Sequence, residues 1–221
     1  MSVEQGEVER QVVEGIDVVD KRNRVLNAFY NTPGLLNIGQ EESYSVAENR
    51  PSGIKVNVKE SWDNPLLLQD TAMLMHGSLG LDTIHTVVGI ESGGSPLATL
   101  LSGRLPAKLR LIRKQETEIK DLLAGSTDSY IGNVLVVDDV LGSGDSLIRT
   151  LGRITGVADE VTFLSVFSYG SERRLEQELG ITVRSLFQVS DLVDTIQNEN
   201  DKKHASEQLE RFQHQIGVVN E

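Results

Sequence analysis

The chain has 221 residues, no cysteine, and 33 acidic against 21 basic side chains, for a net charge of −12 at neutral pH. That length can bury a core without staples, and the missing cysteines exclude disulfide frameworks, thiolate zinc sites, iron–sulfur ligation and cysteine nucleophiles. So much negative charge repels nucleic acid and anionic lipid, so any anion site must be assembled locally. The longest apolar run is a handful of residues, too short for a membrane span. Met1 leads straight into Glu4, Glu7 and Glu9, with no secretory leader pattern. These features predict a soluble cytoplasmic protein without membrane or nucleic-acid partners.

Val12, Val13, Ile16, Val19, Val25 and Leu26 recur about once per helical turn. They predict an amphipathic helix, open to a break near Lys21–Arg24, whose basic residues read as a solvated face. Asn31-Thr32-Pro33-Gly34 ends it. The alternation in Gly53–Lys59 predicts a half-buried strand, and Asn64-Pro65 opens a helix over Leu66–His76. Short β-branched or apolar runs then predict strands at Thr86–Ile90, Leu109–Ile112, Val134–Val137, Val161–Phe167 and Val183–Phe187. Helices fall between them at Pro96–Arg104, Ser146–Ile154 and Glu172–Leu179. Val134–Val137 is apolar at every position, the pattern of a parallel strand covered on both faces. Strand–helix alternation of this kind predicts an α/β fold with a mostly parallel sheet flanked by helices. Residues 197–215 are polar and read as a solvated terminal helix or frayed tail.

The strongest chemical signal is the run from Val134 through Asp138-Asp139-Val140-Leu141-Gly142-Ser143-Gly144-Asp145 to Ser146. A buried strand ends in two carboxylates, a glycine-rich turn and a helix N-terminus. Backbone amides of Gly142–Ser146, with the Ser143 and Ser146 hydroxyls, can wrap a phosphate at the positive end of a helix. The carboxylates would repel that phosphate but suit hydroxyls or a developing cation nearby. The combination describes a sugar phosphate, with phosphate in the loop and ribose hydroxyls on the acids. A second strand–turn–helix unit, Val88 to Ala98 around Glu91-Ser92-Gly93-Gly94-Ser95, lies upstream, where the glycines permit close approach of a ligand.

The acid-pair segment resembles the signature of type I phosphoribosyltransferases, which bind 5-phosphoribosyl-1-pyrophosphate (PRPP). Gly142 stands where the family more often has Thr, Ser or Ala. Glu91-Ser92-Gly93-Gly94-Ser95-Pro96-Leu97-Ala98 is similar to the pyrophosphate loop of orotate phosphoribosyltransferases. Leu111-Ile112-Arg113-Lys114, Phe167-Ser168-Tyr169-Gly170 and the run from Gly180-Ile181 to Ser190-Asp191-Leu192 resemble further motifs of that family. The resemblance covers residues 43–195. It implies a small N-terminal hood and helix over residues 1–60, a PRPP-binding core over 61–195, and a polar C-terminal helix or tail over 196–221.

The resemblance also implies roles. Asp138 and Asp139 would hold the ribose hydroxyls and stabilise oxocarbenium-like charge at C1, and Leu141–Ser146 would take the 5′-phosphate. Glu91, Ser92, Gly93, Gly94, Arg113 and Lys114 would bind pyrophosphate. The base would sit under the hood, with Lys55, Lys59 and Tyr169 as contacts. Mg²⁺ would be held mainly through ligand oxygens, and the protein would be a homodimer. One segment departs from the family. Active members carry a loop with Lys-Asp/Gly-His-Gly after Arg-Lys, whereas Thr117 and Ile119 stand in place of the lysine and histidine here. Lys120, the only lysine between Lys114 and the acid pair, is the candidate substitute. A loop that no longer closes productively is the alternative. Transfer of the phosphoribosyl group from PRPP to orotate is therefore expected. A PRPP- or nucleotide-sensing regulator and a purine-type transferase remain as alternatives.

Overall fold

The computed structural model describes residues 19–40, 43–47, 50–80, 83–112, 123–124 and 131–218. Residues 19–30 form α1 without a break at Lys21–Arg24. Arg22 and Arg24 are exposed, as a solvated face requires, but two of the basic side chains also make contacts. Lys21 pairs with Asp70 at 3.4 Å, and the Arg22 guanidinium lies 4.7 Å over the Phe187 ring while donating to the Leu186 carbonyl.

A hood follows, made of two small antiparallel pairs. Strand β1 (Leu36–Ile38) pairs with β4 (Ile54–Val56), and β2 (Tyr44–Ala47) pairs with β3 (Arg50–Ser52). The strand expected over Gly53–Lys59 stops at Val56. Asn57 leaves the extended conformation, and Val58–Ser61 wind into a 3₁₀ turn that buries Val58 and Ser61. Helix α2 (Pro65–Ser78) starts where Asn64 accepts from the Leu66 and Leu67 amides, with Pro65 in its first turn.

The core sheet contains β5 (Thr86–Ile90), β6 (Lys108–Ile112), β7 (Leu123–Ala124), β8 (Gly132–Leu141), β9 (Ala158–Ser168) and β10 (Thr182–Gln188), in the spatial order β10-β9-β8-β5-β6-β7. All neighbours are parallel except the short β7, which is antiparallel to β6. Helices α3 (Gly94–Arg104), α4 (Asp145–Ile154) and α5 (Glu172–Leu179) make the crossovers. Leu97 and Leu101 of α3 join Val87, Leu135 and Val137 in one apolar cluster, with Val25, Phe29 and Met75 of α1 and α2. Leu147 and Ile154 of α4 and Leu175 of α5 join Val88, Val134, Val136 and Phe163 in the other. The helices thus change faces between β5 and β8, and that reversal opens a crevice at the carboxyl ends of these two strands.

Helices α6 (Val189–Asp194) and α7 (Glu199–Gln215) close the chain. Of the expected solvated helix or frayed tail the chain forms the helix, docked along one face rather than solvated all round. Ala205, Leu209 and Phe212 are buried with Ile54 and Val56 of the hood, and the Gln208 side chain fills the space a methyl on Gly53 would need. Among the described residues no helix is long and apolar enough to cross a membrane.

Candidate functional site

The strand ends at the crevice carry the two glycine turns. Asp138 and Asp139 close the apolar run of β8 and are only 3 % and 9 % exposed. Asp138 Oδ1 accepts from the Asp139 amide at 2.9 Å, and Asp139 Oδ1 accepts from the Val140 amide at 3.0 Å. Across the crevice, β5 runs into Glu91, a cis peptide to Ser92, and then Gly93-Gly94. A methyl on Gly93 would lie 2.0 Å from the Asp139 carboxyl carbon, and one on Gly94 would lie 2.2 Å from the Val137 carbonyl oxygen. Gly94 therefore has no room for a Cβ against the β8 backbone, and one on Gly93 would have to displace the Asp139 carboxylate. The upstream glycines and the downstream acids form one site.

Beyond the acids, Leu141-Gly142-Ser143-Gly144 turns into α4. Gly144 adopts φ +92°, a left-handed conformation that a side chain would strain, and rests on Leu175. The Ser143 hydroxyl donates to the Asp145 carboxylate rather than facing outward. Ser146 Oγ accepts from Arg149 at 3.4 Å. Val46 of hood strand β2 lies 3.7 Å from where a Cβ on Gly142 would be, so the hood stands over the loop.

The expected base contacts divide. Lys55 is half-buried on β4 and Lys59 is exposed on the 3₁₀ turn. Tyr169 differs from the expectation. It is 1 % exposed, its hydroxyl donates to the Ile54 carbonyl at 3.3 Å and accepts from the Val56 amide at 3.2 Å, and its ring meets Phe212 at 4.8 Å. Its polar tip is used to pin the hood to the end of β9, which leaves it unsuited to a base. Burial pushes its phenol well above the ordinary tyrosine value, opposed only by the Val56 hydrogen bond. Arg113, Lys114 and Lys120 lie outside the described residues.

Sequence reasoning passed over two neighbours of the loop. Ser171, fully buried, donates to the Gly142 carbonyl at 2.7 Å, and Arg174 donates to the Ser143 carbonyl at 2.6 Å. Bonds from a side chain to a distant backbone carbonyl leave no motif. The only cue was their place just after the β9 end.

Open α/β proteins bind their ligands at the switch point of the sheet, which is where this chain brings together a buried acid pair and two apposed glycine turns. Residues 58–178, more than half the chain, match the phosphoribosyl transferase domain, and the chain belongs to that family. The sequence is 26 % identical over 174 residues to "Transcriptional regulator GfcR" of Methanococcus maripaludis, covering 73 % of this chain and 83 % of that protein. It is 29 % identical over 145 residues to a hypoxanthine/guanine phosphoribosyltransferase of Methanothermus fervidus, covering 59 % and 76 %. An orotate phosphoribosyltransferase of Methanocaldococcus jannaschii is 22 % identical over 165 residues, covering 72 % and 90 %. Among solved structures, orotate phosphoribosyltransferase from Aeropyrum pernix matches with a TM-score of 0.60 at 21 % identity, covering 73 % of this chain and 92 % of that one. UMP synthase of Leishmania donovani matches with a TM-score of 0.69 at 14 % identity; the match covers 89 % of this chain and 42 % of that one. These likenesses establish the fold, a mostly parallel sheet, five parallel strands with the short antiparallel β7 at the edge, flanked by helices.

Proposed function

We propose that the chain binds PRPP in the β5–β8 crevice and transfers its phosphoribosyl group to a nucleobase, orotate, releasing pyrophosphate. The observation that carries this reading is the close approach of Gly93 to Asp139, which brings the second glycine turn against the acid pair that leads into the phosphate loop. Transfer forms a C1–N bond as the C1–O bond to pyrophosphate breaks, with positive charge building on the ribose ring. Asp138 and Asp139 hold the ribose hydroxyls and set negative potential beside that charge. Amides of Ser92–Gly94 bind the leaving pyrophosphate, with Arg113 and Lys114 as further cations and Lys120 as the loop lysine. Lys55 and Lys59 are the cations on the hood side for the orotate carboxylate.

The family implies Mg²⁺, and the two adjacent carboxylates beside a glycine turn offer the hard oxygen donors that this ion takes. The ion would be held mainly through the ribose and pyrophosphate oxygens, with Asp138 and Asp139 beside it on the ribose hydroxyls, and it would supply charge neutralisation for the leaving group. A homodimer belongs to the same reading, and sedimentation measures it.

A second reading is favoured by a specific observation. Thr117 and Ile119 stand where transferases of the family carry lysine and histidine, and the relatives include proteins named as regulators. In that reading the site senses PRPP or a nucleotide. The deciding assay follows orotate, uracil, xanthine, hypoxanthine and adenine spectrophotometrically with PRPP and Mg²⁺. Turnover of orotate supports the first reading, turnover of a purine alone moves the substrate class, and PRPP binding without turnover favours the sensor.

A further inference from the structure

Three successive carbonyls of the phosphate loop are tied to the segment after β9. The Leu141 carbonyl accepts from the Tyr169 amide at 3.0 Å, that of Gly142 from Ser171 Oγ at 2.7 Å, and that of Ser143 from Arg174 Nη2 at 2.6 Å. In a trans peptide the carbonyl and the following N–H point in opposite directions within one plane. Turning these three carbonyls toward α5 therefore turns the amides of Gly142, Ser143 and Gly144 away from it. Successive amides facing one way form an anion-binding concavity.

The anchoring side chains are themselves held. Arg174 Nη1 pairs with Glu178 at 2.7 Å, one helical turn along α5, which aims Nη2 at the loop. Gln213 of α7 donates to the Tyr169 carbonyl at 2.9 Å, and Leu175 seats beneath Gly144. Glu178 balances the Arg174 charge, so Arg174 acts on the loop through its Nη2 hydrogen bond.

We infer that Ser171 and Arg174 are positioning residues for the phosphate loop, orienting its amides toward the 5′-phosphate before any ligand arrives. This rests on the phosphoribosyl-binding reading above. Neither side chain touches ligand; each acts through a carbonyl. Preorganised donors bind an anion without the cost of ordering a free loop.

The test is calorimetric titration of the full chain, wild type and the variants Ser171→Ala, Arg174→Ala and Arg174→Lys, with ribose 5-phosphate and separately with pyrophosphate. Loss of a hydrogen bond to a buried carbonyl should weaken ribose 5-phosphate by about tenfold, with pyrophosphate, bound at the other turn, held within about twofold. Arg174→Lys, keeping the charge and one donor, should recover part of the loss. Equal weakening of both ligands means a merely structural role and overturns the inference, as does unchanged ribose 5-phosphate affinity. If Arg174→Ala does not fold, Ser171→Ala, which removes one hydroxyl, decides by the same criterion. Wild-type protein that takes up no ribose 5-phosphate overturns the phosphoribosyl reading itself, whereas wild-type binding with unaltered variants overturns only the positioning roles.

Discussion

Gly93 and Gly94 are neighbours in sequence but answer to different constraints. The methyl of a Gly93→Ala variant meets the Asp139 carboxylate, the end of a side chain that can swing aside. Gly94→Ala drives its methyl into the Val137 carbonyl and the Asp138 backbone, which cannot. Gly94→Ala should therefore lose about 1–3 kcal/mol of stability from overpacking, read by urea denaturation. Gly93→Ala should stay close to wild type in that measurement and lose PRPP affinity, because the displaced carboxylate lies in the site. The reverse ranking would mean that the turns are not arranged as described. The acids themselves act where charge develops. Asp138→Asn and Asp139→Asn should each cost about 2–4 kcal/mol of transition-state stabilisation, comparable to a lost oxyanion donor, with a smaller change in PRPP affinity. Wild-type turnover in both variants would remove the carboxylates from the mechanism.

The hood owes its placement to Tyr169, whose hydroxyl serves both the Ile54 carbonyl and the Val56 amide. Tyr169→Phe should cost about 1–3 kcal/mol by leaving buried backbone groups unpaired. It should also change the response to alkali. The folded state holds the Tyr169 proton more tightly than the unfolded chain does. Its contribution is therefore complete below the ordinary tyrosine value of about 10 and falls as pH rises beyond it. Stability curves at rising alkaline pH should drop less for the phenylalanine variant. Equal slopes would show that Tyr169 titrates normally. Elements differed in how well the chain advertised them. The continuous apolar run Val134–Val137 led directly to β8, and the caps at Asn64-Pro65 led to α2, because burial and capping act on adjacent residues. Helix α7 was harder to read, since only Ala205, Gln208, Leu209 and Phe212 are buried among many charged neighbours. Tyr169 carried a motif that says nothing of burial. The glycine turns and acid pair were legible because each is local in sequence. Ser171 and Arg174 were not, because their partners lie 29 and 31 residues away.

At the scale of the molecule, the proposed ligand is an anion and the chain carries a net charge of −12. Binding must therefore come from the local amides and cations, and it should couple to the fold as a whole. PRPP with Mg²⁺ at about a hundredfold excess over its Kd should add about 2.7 kcal/mol of stability, seen as a rise in thermal midpoint. No shift at millimolar PRPP would remove PRPP as the ligand. The docking of α7 on the hood has a further consequence, in the order of events during synthesis. The contacts of Arg50 with Gln215 and of Gly39 with His204 each join residues 165 positions apart. At about 5–20 residues per second, a ribosome needs roughly ten to thirty seconds to make that stretch. Through that interval the nascent hood has no α7 to cover Ile54 and Val56, and its apolar face is open to chaperones and proteases. Ribosome-bound chains stalled before Asn198 should be cut readily between β1 and β4, and chains long enough to release α7 should resist.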